Sequence, residues 1–262
     1  MKRNTPGFFS VTATIVVLLF LHLPLVVLVA NSFNASRFGG TWEGFTLRWY
    51  SELLRSREVL EAFQNSLWVA LIATPVSTLL GTLAALALQR FRGRLQKTHL
   101  LLVQIPLVLP EVLMGFSLLL FFVSSGWGLG LATISIAHIT FCISFVTMVM
   151  LGRLQNFDFT LVDAARDLGA SRWQVGVRIL LPLLWPGILA GALLAFTVSL
   201  DDFVITFFVS GPGSTTLPIQ IYSMMKTSRN LPVINALSSL LLFGTIFLVV
   251  LSHRLTRPAR NS

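Results

Sequence analysis

Charge is what this chain has least of: 11% of its residues are Asp, Glu, Lys or Arg, against about 25% in an ordinary soluble domain. Acid is scarcer still, with ten Asp and Glu facing nineteen Lys and Arg across 262 residues, for a formal charge of +9. A single cysteine, Cys142, excludes an internal disulfide and any thiolate cluster for zinc or iron–sulfur. No G-x-x-x-x-G-K-[ST] occurs, so the chain has no phosphate-cradling loop for a nucleotide. H-E-x-x-H and G-x-S-x-G are absent too, and no nucleophile–base spacing supports an intramembrane hydrolase. His22 and His138 lie in apolar runs and could in principle ligate haem across helices, but no second histidine pair accompanies them there. A paired or solvent-lined histidine is the expected reading. No catalytic residue, metal site or cofactor is expected in this chain.

Apolar sequence fills the space. Hydrophobic residues make up 55%, mean hydropathy is +0.81, and the class these values indicate is an integral membrane protein. Six apolar runs stand at about 8–30, 67–88, 100–123, 129–151, 183–209 and 233–251. The expected fold is therefore an all-α polytopic membrane protein, one transmembrane domain over 1–262 with six helices in the lipid bilayer. The first run has a VLVANS end that looks like a cleavage site, yet it exceeds a signal-peptide core of roughly 7–15 residues, so an uncleaved span is expected. The polar loop 32–62 carries Trp42, Trp49 and Tyr50, residue types that favour the membrane–water boundary. Residues 210–232 read as a Gly/Pro/Ser/Thr loop.

Topology follows from the basic residues, which sit at the ends of the apolar runs. The +9 charge therefore speaks for orientation in a membrane, not for nucleic acid. Six spans force both termini to one side. Thirteen of the nineteen Lys and Arg fall on that side (at the N-terminus, in 90–97, in 153–178 and at the C-terminus). The positive-inside rule puts it in the cytoplasm.

Three acids interrupt apolar runs: Glu111, Asp201 and Asp202. An acid at a helix centre costs roughly 2.5–3.5 kcal/mol on insertion scales, so such residues face a cavity or a partner. Asp201 and Asp202 also lie close to the Ser210-Gly211-Pro212 loop, so an interface position is a serious alternative for them. Neighbours on a helix point about 100° apart, so at most one of the two faces a central path squarely. Beside Glu111, Pro106 and Pro110 have no N–H to give, which frees carbonyls near Leu102 and Pro106. A kinked helix lined by carbonyls and a carboxylate suits a cation.

A polar island separates the fourth and fifth runs: residues 152–182, with DAARDLGASRWQVGVRILLP from Asp163 to Pro182 at its heart. Leu161–Leu168 has the spacing of a short amphipathic helix. Gly169 stands where a helix ends in a left-handed cap. Ser171 and Gln174 then have capping-box spacing for a second helix, running apolar into Pro182. Asp163-Ala164-Ala165, Gly169, Ile179, Leu181 and Pro182 match the fixed positions of the "EAA" loop of ABC-importer permeases, which this segment resembles. Asp163 replaces the usual Glu. The resemblance implies that these residues form coupling helices seated on an ATP-hydrolysing subunit.

Three further stretches, NSFNASRF (Asn31 to Phe38), IPLVLPEVLMGFSLLL (Ile105 to Leu120) and AFTVSLDDFVITFFVSGPGSTTLPIQIYS (Ala195 to Ser223), are similar to spermidine/putrescine-type permeases. This likeness implies a type I ABC importer permease fold in a bacterial inner membrane. It also implies a second homologous permease, two ATPase copies that bind the ATP, and a periplasmic substrate-binding protein. On that reading Glu111 with Asp201 or Asp202 lines a path for a polyamine, and the loop at 211–218 forms its periplasmic mouth. Ferric iron, thiamine and phosphonate are the alternative solutes within this class. An ion-coupled secondary transporter is the alternative outside it.

Overall fold

The computed structural model describes residues 7–37, 41–90, 93–155, 157–227 and 231–256. Phe38 lies outside them, as do Lys2, Arg3, Arg92, Arg229, Arg257 and Arg260 of the nineteen basic residues counted for topology. The described residues are overwhelmingly helical and contain no strand, only an isolated bridge between Asn34 and Phe45. Five helices are long and apolar enough to cross a membrane, and a sharply bent pair makes six if it is counted as one crossing.

The chain divides into two compact units. The first comprises residues 1–60 and 221–244. It holds α1 (Phe8–Asn31) and α2 (Arg48–Arg55). Helix α1 is apolar on every side and none of its spanning window is buried, the signature of a helix whose partner is lipid or another chain. Residues 32–37 and 41–47 are knitted around Asn34. Its Oδ1 accepts the amides of Ser36 at 3.1 Å and Glu43 at 3.0 Å, and its Nδ2 donates to the Thr41 carbonyl at 2.8 Å. The Trp49 indole donates to the Asn34 carbonyl at 2.7 Å, leaving Trp49 buried while Trp42 stays exposed. Trp49 is thus a structural peg and not a boundary anchor, because its N–H has a protein partner. The polar loop expected over 32–62 also proves partly helical, since α2 and the start of α3 (Arg57–Arg90) occupy it.

The second unit comprises residues 61–220 and 245–262. Its axis is α6 (Leu131–Gln155), where Ile134, Ala137, Phe141, Cys142, Val146, Met150 and Leu154 are all buried. Helix α9 (Leu181–Asp201) packs along it through small residues: a β-carbon at Gly191 would lie 3.2 Å from Val146, and one at Gly187 would lie 2.9 Å from Arg153. In lipid, where apolar surface gains nothing from leaving its solvent, such close approach is the main source of helix–helix attraction.

Two breaks shape this unit. The third apolar run forms not one kinked helix but two, α4 (Gln96–Val108) and α5 (Glu111–Ser124), bent by 105°. Leu109 is extended, as a residue before proline prefers, and Pro110 caps α5. The fifth run breaks at Asp202-Phe203, after which α10 (Val204–Val209) packs on α5. Beyond it, Gly211 is pressed so close to the Leu129 carbonyl that any β-carbon would overlap it. Asn65 donates to the Thr215 carbonyl at 2.9 Å, and Ser66 accepts the Leu217 amide at 2.8 Å. The segment expected as loop over 210–232 is helical from Leu217 to Thr227 (α11), and α12 covers Leu231–Thr256.

Candidate functional site: an acid-lined cavity and a capped two-helix loop

The two breaks meet. Pro106, Leu107, Glu111, Phe145, Asp201 and Asp202 are among the residues lining one cavity of about 480 Å³ in the second unit. All three membrane acids singled out from the sequence therefore reach the same space, two at helix ends and one at the junction. Glu111 is the first residue of α5, where a carboxylate complements the helix dipole. Asp201 is the last residue of α9. Both are exposed, and among the described residues neither carboxylate has a hydrogen bond or ion pair.

Asp202 is different. Its Oδ2 accepts the Thr206 amide at 2.8 Å and the Thr206 hydroxyl at 2.7 Å, and Oδ1 accepts the Ile205 amide at 3.4 Å. It thereby caps the first turn of α10. His138 Nε2 stands 3.3 Å from the same Oδ2 and 2.9 Å from the Thr206 oxygen, while Nδ1 lies 2.8 Å from the Ser199 hydroxyl. Since the single Thr206 hydroxyl proton is committed to Asp202, Nε2 must carry the proton in this arrangement. Both side chains are nearly inaccessible, at 1% and 7%. His138 is thus a paired histidine, as read from the sequence. His22 instead contacts the Leu18 carbonyl one turn back, 2.7 Å away.

Ser199 and Thr206 escaped the sequence reading, although polar residues in apolar runs, with Thr206 four after Asp202, were a usable signal. Replacing His138 with Leu should leave Asp202 one partner short in a dry site. We expect a loss of about 3 kcal/mol, read as a lower thermal midpoint of the purified complex. His138→Asn, which keeps an N–H donor, should recover part of it.

The polar island has the expected local grammar. Helix α7 spans Thr160–Asp167, and Asp158 caps its start by accepting the Thr160 amide at 3.0 Å and hydroxyl at 2.7 Å. These bonds hold the exposed Asp158 carboxyl below its usual range, so whatever they contribute is present at neutral pH and lost as acid protonates it. Gly169 has φ +86°, its amide bonds the Arg166 carbonyl at 2.8 Å, and the Ala170 amide bonds the Ala165 carbonyl at 3.0 Å. That pair is a Schellman ending. Ser171 and Gln174 exchange their two bonds at 2.8 and 3.3 Å, completing the capping box.

Pro182 does not end the second helix, as the sequence had suggested. Residues Gly176–Leu180 form a wide π turn, in which the Leu181 amide reaches back to the Gly176 carbonyl. Pro182 then sits in the first turn of α9, so helix continues from Arg172 to Asp201. A wide turn of this kind relieves the carbonyl that a mid-helix proline would leave clashing and unpaired. Leu168 and Trp173, on either side of the Gly169 bend, are 89% and 78% exposed.

The sequence family described as "binding-protein-dependent transport system inner membrane component" matches residues 77–257. The chain belongs to this family. It is accordingly a multi-pass inner-membrane permease, a transport subunit and not an enzyme. Among its relatives is the spermidine/putrescine transport system permease protein PotC of Escherichia coli (strain K12), 40% identical over 91% of this chain and 90% of that protein. The putrescine transport system permease protein PotI of the same strain is 43% identical over 92% and 89%. A solved bacterial alginate ABC transporter, in complex with alginate pentasaccharide-bound periplasmic protein, superposes with a TM-score of 0.74 over 95% of this chain and 92% of that one. At 16% identity the likeness concerns the fold, which is that of an ABC-transporter permease. Among the described residues, no group of three or more His, Cys, Asp or Glu is placed to hold a metal ion.

Proposed function

We propose that this permease forms half of an ATP-driven import path for a polyamine, with Glu111 and Asp201 compensating the charge of its ammonium groups. The observation that carries the reading is the convergence of two unpartnered carboxylates on one cavity at two helix breaks. Helix breaks at membrane depth are tolerated where they border a polar cavity. Putrescine and spermidine are polycations with apolar methylene spacers, which suits paired acids among Leu107, Met114 and Phe145. The names of the 40%-identical and 43%-identical relatives agree with this class. Asp202 borders the same cavity but is engaged by Thr206 and His138, so it holds the break while Asp201 meets the solute.

On the same reading the working unit includes a second homologous permease, two ATPase subunits that bind the ATP, and a periplasmic binding protein. Both termini and residues 152–182 lie in the cytoplasm, where Asp163, Ala164, Ala165, Gly169, Ile179, Leu181 and Pro182 form the segment that meets an ATPase. The exposed Leu168 and Trp173 support this, since large apolar side chains beside a bend in water are suited to burial by a partner. The pinned loop at 211–218 belongs to the periplasmic mouth.

The test is ATP-driven uptake into vesicles holding the full complex, offered putrescine, spermidine, thiamine, phosphonate and ferric iron in turn. Saturable polyamine uptake that collapses in Glu111→Ala bears the reading out. Uptake of thiamine, phosphonate or iron alone keeps the importer and makes the acids structural.

A further inference from the structure

A second cavity, of about 440 Å³, lies further along α4 and α6. Its polar lining is Gln89, Gln96, Gln104 and Gln155, four of the seven glutamines in the chain. Gln96 donates to the Leu88 carbonyl at 2.9 Å. Among the described residues the side chains of Gln89, Gln104 and Gln155 have no hydrogen bond. Gln104 stands between LLLV and IPLV in α4, and an amide at that depth is costly unless it faces a polar space.

The two cavities share their walls. On α6, Phe141 and Phe145 line the acid cavity, and Met148, Gly152 and Gln155 line the glutamine cavity. Those positions advance by four, three, four and three residues, which is one continuous helix face. On α4, Gln96, Leu100 and Gln104 lead in the same way to Leu107. From Phe141 to Gln155 the track runs about 21 Å, at 1.5 Å per residue. It points from the acids toward the helix ends that bear Arg90, Lys97 and Arg153.

We propose that the glutamine cavity is the inner, releasing station of the path, where amide oxygens receive the ammonium groups of the solute after the carboxylates let go. The proposal rests on the reading of the acid cavity given above. A path must bind well enough to admit its cargo and weakly enough to lose it. Neutral amides solvate an ammonium group without holding it by charge. The basic residues on the same helix ends lower the affinity further, so binding weakens along the direction of import.

Gln104→Cys and Gln155→Cys, each in the full complex in inside-out vesicles, provide the test. The native Cys142 is wholly buried, so this chain contributes little background. A membrane-impermeant ethylammonium methanethiosulfonate should label both positions. Putrescine should slow the labelling about fivefold, as a site occupied about four-fifths of the time would. Gln104→Lys should cut putrescine uptake about tenfold or more through charge repulsion, and Gln104→Asn should retain it. Should Gln104→Cys fail to assemble, Gln155→Cys at the exposed helix end carries the same readout.

No labelling, or labelling that putrescine does not slow while Glu111→Ala still loses uptake, overturns the inner station and leaves the acid pair standing. Protection by putrescine with normal uptake in Glu111→Ala does the reverse.

Discussion

Asp201→Lys, assembled with its partner subunits, is expected to reach the membrane and keep basal ATP hydrolysis yet to lose polyamine uptake more than about 100-fold. The estimate follows from the cavity. An ammonium group about 4 Å from a second cation at an effective dielectric constant near 20 is disfavoured by about 4 kcal/mol, and the favourable pairing with a carboxylate is lost as well. The neutral variants Asp201→Ala and Glu111→Ala remove attraction without adding repulsion, so each should fall by about tenfold. The fold should tolerate all three changes, because neither carboxylate is tied to another described residue. Asp202→Ala is the contrasting case. It strips the cap from α10 and the partner from His138, so its losses should appear in stability as well as in uptake. Uptake of putrescine at the normal rate in both Asp201→Ala and Glu111→Ala would falsify the assignment of the path.

Gly169→Asp is expected to separate ATP hydrolysis from transport. The position has φ +86°, which most side chains avoid, but no atom outside its chain neighbours lies within 4 Å of an added β-carbon. The internal cost is therefore conformational, about 1 kcal/mol, and Asp tolerates this region better than most residues do. Insertion and folding should survive. A carboxylate placed between the exposed Leu168 and Trp173 would have to be desolvated against the ATPase, and that is where the larger loss should fall. The measurement is the number of ATP molecules hydrolysed per polyamine imported in proteoliposomes, which should rise about tenfold or more. Gly169→Asn carries the same strain without charge and should lie close to the native protein. If Gly169→Asp imported at the native ratio, this bend would have no part in the coupling contact.

These expectations draw unequally on sequence and structure. The bend at Gly169 and the Ser171–Gln174 box were legible because capping is local: every bond closes within five residues. The apolar runs were legible because hydropathy records which residues avoid water. The break at Pro110 was half legible. Proline chemistry foretold a kink, but the 105° turn depends on what α5 packs against, and that is α10, far along the chain. Trp49 was misjudged for a related reason. Its composition class favours an interface, and only the Asn34 carbonyl fifteen residues earlier makes it a buried peg.

By itself, then, the sequence determined an all-helical membrane protein and a capped two-helix loop, and it singled out three acids that needed an explanation. Only the tertiary structure decided that those acids share one cavity, that His138 and Thr206 claim Asp202 and leave Asp201 open, and that four glutamines from three helices gather at a second cavity along the same face of α6. The reason lies in sequence separation. His138 meets Asp202 across a gap of more than sixty residues, and a pairing of that range is set by how helices pack, which neither hydropathy nor capping rules encode.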